Sequence, residues 1–128
     1  MTENEIGRYI VDAAIKIHRE MGPGLLESVY EIVLAYELRQ LDLYVKRQVP
    51  VAIKYRSIRF DEGFKADLIV ENKVIIELKC VEKLANSHKK QLLTYLRMAD
   101  LKLGFLLNFS QSLMKNGITR MVNGLADG

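Results

Sequence analysis

The chain has 128 residues, 49% of them hydrophobic and 27% charged, with a formal net charge of +3. That length suits one domain, residues 1–128, with one core and no room for a second. The composition excludes disorder and fibrous repeats, and no apolar stretch approaches the roughly 20 residues needed for a bilayer-crossing helix. The small positive excess favours contact with polyanions without demanding it. The start, Met1-Thr2-Glu3-Asn4-Glu5, is acidic and polar where a secretory leader would be basic and then apolar, so a cytoplasmic location is expected. Cys80, the single cysteine, can form no internal disulfide and lacks the companions of a zinc site; it reads as a small buried residue.

Thr2 followed by Glu5 has the spacing of a capping box, and Ile6, Ile10, Ala13, Ala14, Ile17 and Met21 then recur at helical spacing. Gly22-Pro23-Gly24 ends this first helix, because proline removes a backbone donor and glycine accepts angles other residues resist. A second helix is expected over residues 25–40, with Leu26, Val29, Tyr30, Val33, Leu34, Ala35 and Leu38 as its apolar face. From Tyr44 the period becomes two: Val45, Val49, Val51, Ile53 and Tyr55 alternate with polar residues before a turn at Arg56-Ser57 and a strand Ile58-Arg59-Phe60. Two further strands, 64–70 and 74–81, flank the short polar Glu71-Asn72-Lys73. Ser87 is the expected N-cap of a helix running to about Met98, with Leu92, Leu93 and Leu96 inward. Residues 103–109 form an apolar run that reads as a strand buried on both faces, and 118–122 a last strand. The fold class is α/β (α+β), in the order ααββββαββ.

Alternation carries the chemistry. Within 74–81, Ile75, Glu77 and Lys79 share one face and Val74, Ile76, Leu78 and Cys80 the other; in the preceding strand Lys65, Asp67 and Ile69 fall together. If Glu71-Asn72-Lys73 is a three-residue loop, Val70 pairs with Val74 and Asp67 lies opposite Glu77, where two like charges repel unless a cation joins them. With a two-residue turn the acids take opposite faces and no site exists. Two carboxylates suit a hard ion such as Mg²⁺, with Mn²⁺ as a substitute, and Lys79 adds a positive charge one pleat beyond Glu77. Such an ion can polarise a phosphate oxygen and activate water.

Asp67 followed by Glu77-x-Lys79 resembles the PD-(D/E)XK nuclease superfamily. More narrowly the chain is similar to the small GxxExxR proteins, through Gly22-Pro23-Gly24-Leu25-Leu26-Glu27-Ser28-Val29-Tyr30-Glu31, Ala66-Asp67-Leu68, Ile76-Glu77-Leu78-Lys79 and Gln91-Leu92-Leu93-Thr94-Tyr95-Leu96. That family's name implies Arg three places after its Glu, where this chain has Tyr30. The resemblance implies a restriction-endonuclease-like core with a mixed central sheet flanked by helices. It further implies metal ligation by Asp67, Glu77 and the Leu78 carbonyl, with Glu27 as the helical acid, Lys79 as catalytic lysine, and Gln91 and Tyr95 orienting that lysine or contacting substrate. The implied activity is metal-dependent phosphodiester hydrolysis of nucleic acid, DNA ahead of RNA. The alternative is an inactive nuclease-fold module that binds nucleic acid or serves as a scaffold.

Without the resemblance, plainer readings stand beside these. Glu27 suits a first-turn acid favoured by the helix dipole, and Gln91 with Tyr95 suits a helix surface pair. His18 and His88 read as structural or solvated. Lys83, Lys89, Lys90, Arg97 and Lys102 gather around the third helix, either as a solvated face or as phosphate contacts. The small surface of one copy leaves room for a homodimer.

Overall fold

A computed structural model describes residues 1–126. Its elements are α1 (Glu3–Met21), α2 (Glu27–Gln40), β1 (Val45–Tyr55), β2 (Ile58–Val70), β3 (Val74–Lys79), α3 (Asn86–Ala99), β4 (Leu103–Asn108), a 3-10 turn (Met114–Gly117) and β5 (Ile118–Val122). The strands form one mixed sheet in the order β1-β2-β3-β4-β5, antiparallel except for the parallel pair β3–β4. A parallel pair needs a crossover connection, and α3 supplies it. Among the described residues no helix is long and apolar enough to cross a membrane.

The sheet separates two apolar clusters. On one face α1 and α2 bury Ile6, Ile10, Ile17, Tyr30, Leu34 and Leu38 against Leu68, Val70, Ile76, Leu78, Phe105 and Leu107. On the other, Leu92, Tyr95 and Leu96 of α3 pack on Val51, Ala66, Ile69, Ile75 and Leu106. Residues Leu103–Asn108 are buried throughout, as the uninterrupted apolar run requires.

The capping box at Thr2 is present: Glu5 N–H donates to Thr2 Oγ1 at 3.2 Å and Thr2 N–H to Glu5 Oε1 at 3.4 Å. Tyr30 secures the turn after α1, because its hydroxyl donates to Gly22 O and accepts from Leu25 N–H while its ring stacks on Phe109 at 4.3 Å. Position 30 is therefore an apolar, stacked site with no place for the charge of an arginine.

Three expectations change. Ile58-Arg59-Phe60 and 64–70 are one strand, so three strands, not four, precede α3 and the order is ααβββαββ. The intervening Asp61-Glu62-Gly63 contains no turn but a bulge: between the pairs Val51↔Phe64 and Ile53↔Phe60 these three residues of β2 face Ala52 alone. Strand β3 stops at Lys79 rather than residue 81. Ser87 does not cap α3, which begins at Asn86; instead His88 Nδ1 accepts from Ala85 N–H at 3.1 Å, giving that histidine a structural task.

Candidate metal centre

Glu71 and Asn72 take left-handed backbone angles (φ 53° and 54°) and Lys73 N–H donates to Val70 O at 3.0 Å. The loop therefore has three residues and the register runs Val70↔Val74, Ile69↔Ile75, Leu68↔Ile76. Continuing it sets Asp67 across from Glu77. Backbone pairing ends there, however: Leu78 N–H donates to the Asp67 carboxylate (Oδ2, 2.9 Å) instead of to a β2 carbonyl. Strand β3 keeps its parallel partner β4 through Lys79↔Asn108. The sheet is thus split beside β3, and the two acids stand at the split.

On the far side of β2 the same point is irregular. Gln48 lies between the pairs Arg47↔Leu68 and Val49↔Ala66, hence across from Asp67, and its φ is 51°. Side-chain alternation breaks in both strands there. Val45, Leu68 and Val70 belong to the α1–α2 cluster, yet Val51 and Ala66 belong to the α3 cluster, although each strand's residues have the same parity.

Glu77 is 7% exposed, and its Oε1 is the one buried side-chain polar atom among the described residues with no hydrogen-bond partner. Burial pushes its carboxyl up to about 9, the negative charge of Asp67 and hydrogen bonding to Asp67 reinforce this, and Lys79 pulls the other way. Tyr95 is raised as well, by burial first and then by the charges of Glu77 and Asp67. Tyr95 is buried and stacks on Phe64 at 3.6 Å, whereas Gln91 is exposed, so the two are not a surface pair.

The resemblance names Glu27 as the helical acid. Glu27 begins α2 and is exposed; its charge contributes to raising the Cys80 thiol, after burial, and it makes no hydrogen bond to Asp67 or Glu77. Cys80 itself is half-buried rather than fully buried, with its thiol 3.5 Å from Leu25 O. One turn on from Glu27, Glu31 is buried. Arg47 Nε donates to its Oε2 at 3.0 Å and Gln48 Nε2 to its Oε1 at 2.6 Å, while Gln48 Nε2 also reaches Asp67 Oδ1 at 3.4 Å. Glu31, Arg47 and Gln48 were not singled out from the sequence. A signal existed for Glu31 alone: an acid one turn from Leu34 and Ala35 and two turns from Leu38 sits on an apolar helix face.

The exit of β3 is held by Asn108, 1% exposed, whose Nδ2 donates to Val81 O at 2.8 Å and whose Oδ1 accepts from Val81 N–H at 3.2 Å. Phe109 N–H donates to Lys79 O at 3.0 Å. The backbone carrying half-buried Lys79 is therefore fixed from the β4 side. His18, also buried, lies outside the site with its Nε2 2.8 Å from Gln111 O. The cations Lys83, Lys89, Lys90, Arg97 and Lys102 are all exposed.

Among the described residues no group of three or more His, Cys, Asp or Glu side chains converges to hold an ion. What converges is a pair of carboxylates whose mutual repulsion and partnerless buried oxygen would both be relieved by a small hard cation, so an oxygen-ligated divalent ion fits the residues present. A mixed sheet flanked by helices and split at an Asp, a Glu and a Lys is a restriction-endonuclease-like architecture. Over residues 4–121 the sequence matches the PD-(D/E)XK nuclease superfamily, and the chain belongs to it. No curated protein and no solved structure matches the chain.

Proposed function

We propose that the chain hydrolyses phosphodiester bonds of nucleic acid, DNA ahead of RNA, with Mg²⁺ or Mn²⁺ held by Asp67, Glu77 and the Leu78 carbonyl. The observation that carries this reading is the buried, partnerless Oε1 of Glu77 beside Asp67. An unsatisfied buried carboxylate oxygen is costly, and superfamily membership offers a reason to keep it. When bound, a divalent ion polarises a phosphate oxygen and lowers the pKa of a coordinated water. Lys79 sets its ammonium against the negative charge that builds on the phosphate oxygens, and Asn108 keeps its backbone in place. Buried Tyr95 walls the acids from solvent, exposed Gln91 is free to meet substrate, and the α3 cations meet the phosphate backbone. Exposed Glu27 is left out of this ligand set, and Glu31 braces Asp67 through Gln48 without itself ligating.

A second reading, a nuclease fold retained as a nucleic-acid-binding module without turnover, is favoured by the small donor set of two acids. Labelled single- and double-stranded DNA and RNA, incubated with and without Mg²⁺ or Mn²⁺, separate the two. Metal-dependent cleavage lost by about 10²-fold or more in Lys79→Ala is the expected result. Binding without cleavage in every ion would replace the first reading with the second.

A further inference from the structure

Gln48 is a non-glycine residue held at φ 51° inside a strand, a conformation that costs L-residues free energy and persists only where the surroundings impose it. Its sequence neighbours explain nothing: no turn is present, and β1 pairs with β2 on both sides of it. What the conformation achieves is placement of one amide nitrogen between two carboxylates from different elements, Glu31 of α2 at 2.6 Å and Asp67 of β2 at 3.4 Å. Both oxygens of each acid are then engaged, Glu31 by Gln48 and Arg47, Asp67 by Gln48 and Leu78 N–H. A continuous line of polar contacts runs from α2 across β1 and β2 to β3, and it stops at Glu77, whose oxygen alone is left without a partner.

We propose that Gln48 is the positioning residue of the acidic site, tethering Asp67 to the buried Glu31 so that Asp67 is presented to a divalent cation in one orientation. The role for the cation rests on the metal-site reading above; the tether does not. The strained backbone is what this placement demands, since an extended residue 48 would turn its side chain away from one of the two acids. Arg47 belongs to the same device, because by holding Glu31 it gives the tether a fixed anchor.

Glycine adopts φ 51° without strain, so Gln48→Gly separates the tether from the fold. Calorimetric titration with Mn²⁺ and thermal unfolding without metal are measured on the wild type, Gln48→Gly and Gln48→Asn, whose amide is too short to bridge. The expected result is that both variants still unfold cooperatively, the Gly variant lower by no more than its lost hydrogen bonds cost, while both lose roughly 10- to 100-fold in Mn²⁺ affinity, the usual effect of removing a group that orients a ligand. A metal-free double-mutant cycle of Gln48→Gly with Asp67→Asn is expected to be non-additive. Wild-type Mn²⁺ affinity in Gln48→Gly, or strictly additive effects in the cycle, would overturn the proposal. A wild type that takes up no Mn²⁺ while the cycle stays non-additive would sink the metal reading and support the tether.

Discussion

The hairpin formed by β1 and β2 contains two halves built from similar residues that experience different physics. The inner half, Val45 to Val51 against Phe64 to Val70, is clamped between α1–α2 and α3, is broken at Gln48 and Asp67, and carries the acidic site. The outer half pairs Ile53 with Phe60, Lys54 with Arg59 and Tyr55 with Ile58, so one face is apolar and the other basic. It nevertheless leaves Tyr55 58% and Ile58 56% exposed, with Arg56 lying over the Tyr55 ring at 5.3 Å. Gly63 marks the border: a Cβ there would stand 2.0 Å from Ile53 Cδ1, which crosses β2 where the β1 register shifts. The regular half is the one left largely exposed, and the irregular half is the one packed on both faces. Regularity in this hairpin is therefore a sign of freedom, and departure from it a sign of tertiary demand.

Truncation tests that contrast first. Leu68→Ala, at a fully buried position of the inner half, is expected to lower unfolding free energy by about 2–5 kcal/mol in denaturant titration. A loss below about 1 kcal/mol would mean the split region is already loosely packed.

The pH dependence of stability sharpens it next. Glu77 is raised by burial and by Asp67 to about 9, so between the ordinary glutamate range and that value the folded chain holds a proton the unfolded chain has released. Its contribution to stability is whole below the unfolded glutamate value and is lost progressively as pH rises through 9. In metal-free buffer Glu77→Gln is expected to melt above wild type at pH 8, by at least about 1 kcal/mol, with the gap closing towards pH 4. Parallel melting curves for the two proteins across that range would refute a protonated, buried Glu77.

The smallest effect belongs to the outer half. Ile58→Ala removes an exposed side chain and is expected to change stability by less than about 0.5 kcal/mol. A larger loss in dilute solution would show that the ribbon is covered by something in the protein's working state.

Much of this arrangement was legible in residues 1–126 taken as a string. Capping at Thr2 and Glu5, the stop at Gly22 and the apolar run at Leu103–Asn108 are local, set by propensity and by a period of two or 3.6. The meeting of Asp67 and Glu77 was legible only as a condition on loop length, which the structure meets with a three-residue loop. The merging of two expected strands into β2 was not, since Asp61-Glu62-Gly63 bulge against one residue of β1 and the strand continues through the irregularity.

What only the tertiary structure decided is which acid of α2 is held by β1 and how the backbone of Gln48 is set. Glu27 and Glu31 lie four apart on the same helix, one in its first turn and the other among its buried residues. The choice is made by Arg47 and Gln48, which arrive from another element. Likewise the backbone of Gln48 is set by two carboxylates distant in the chain, so its conformation is a property of the assembled site rather than of its own neighbours. Short-range sterics and periodicity act along the chain and can be read there; a charge buried between three elements acts across space and exists only once they have met.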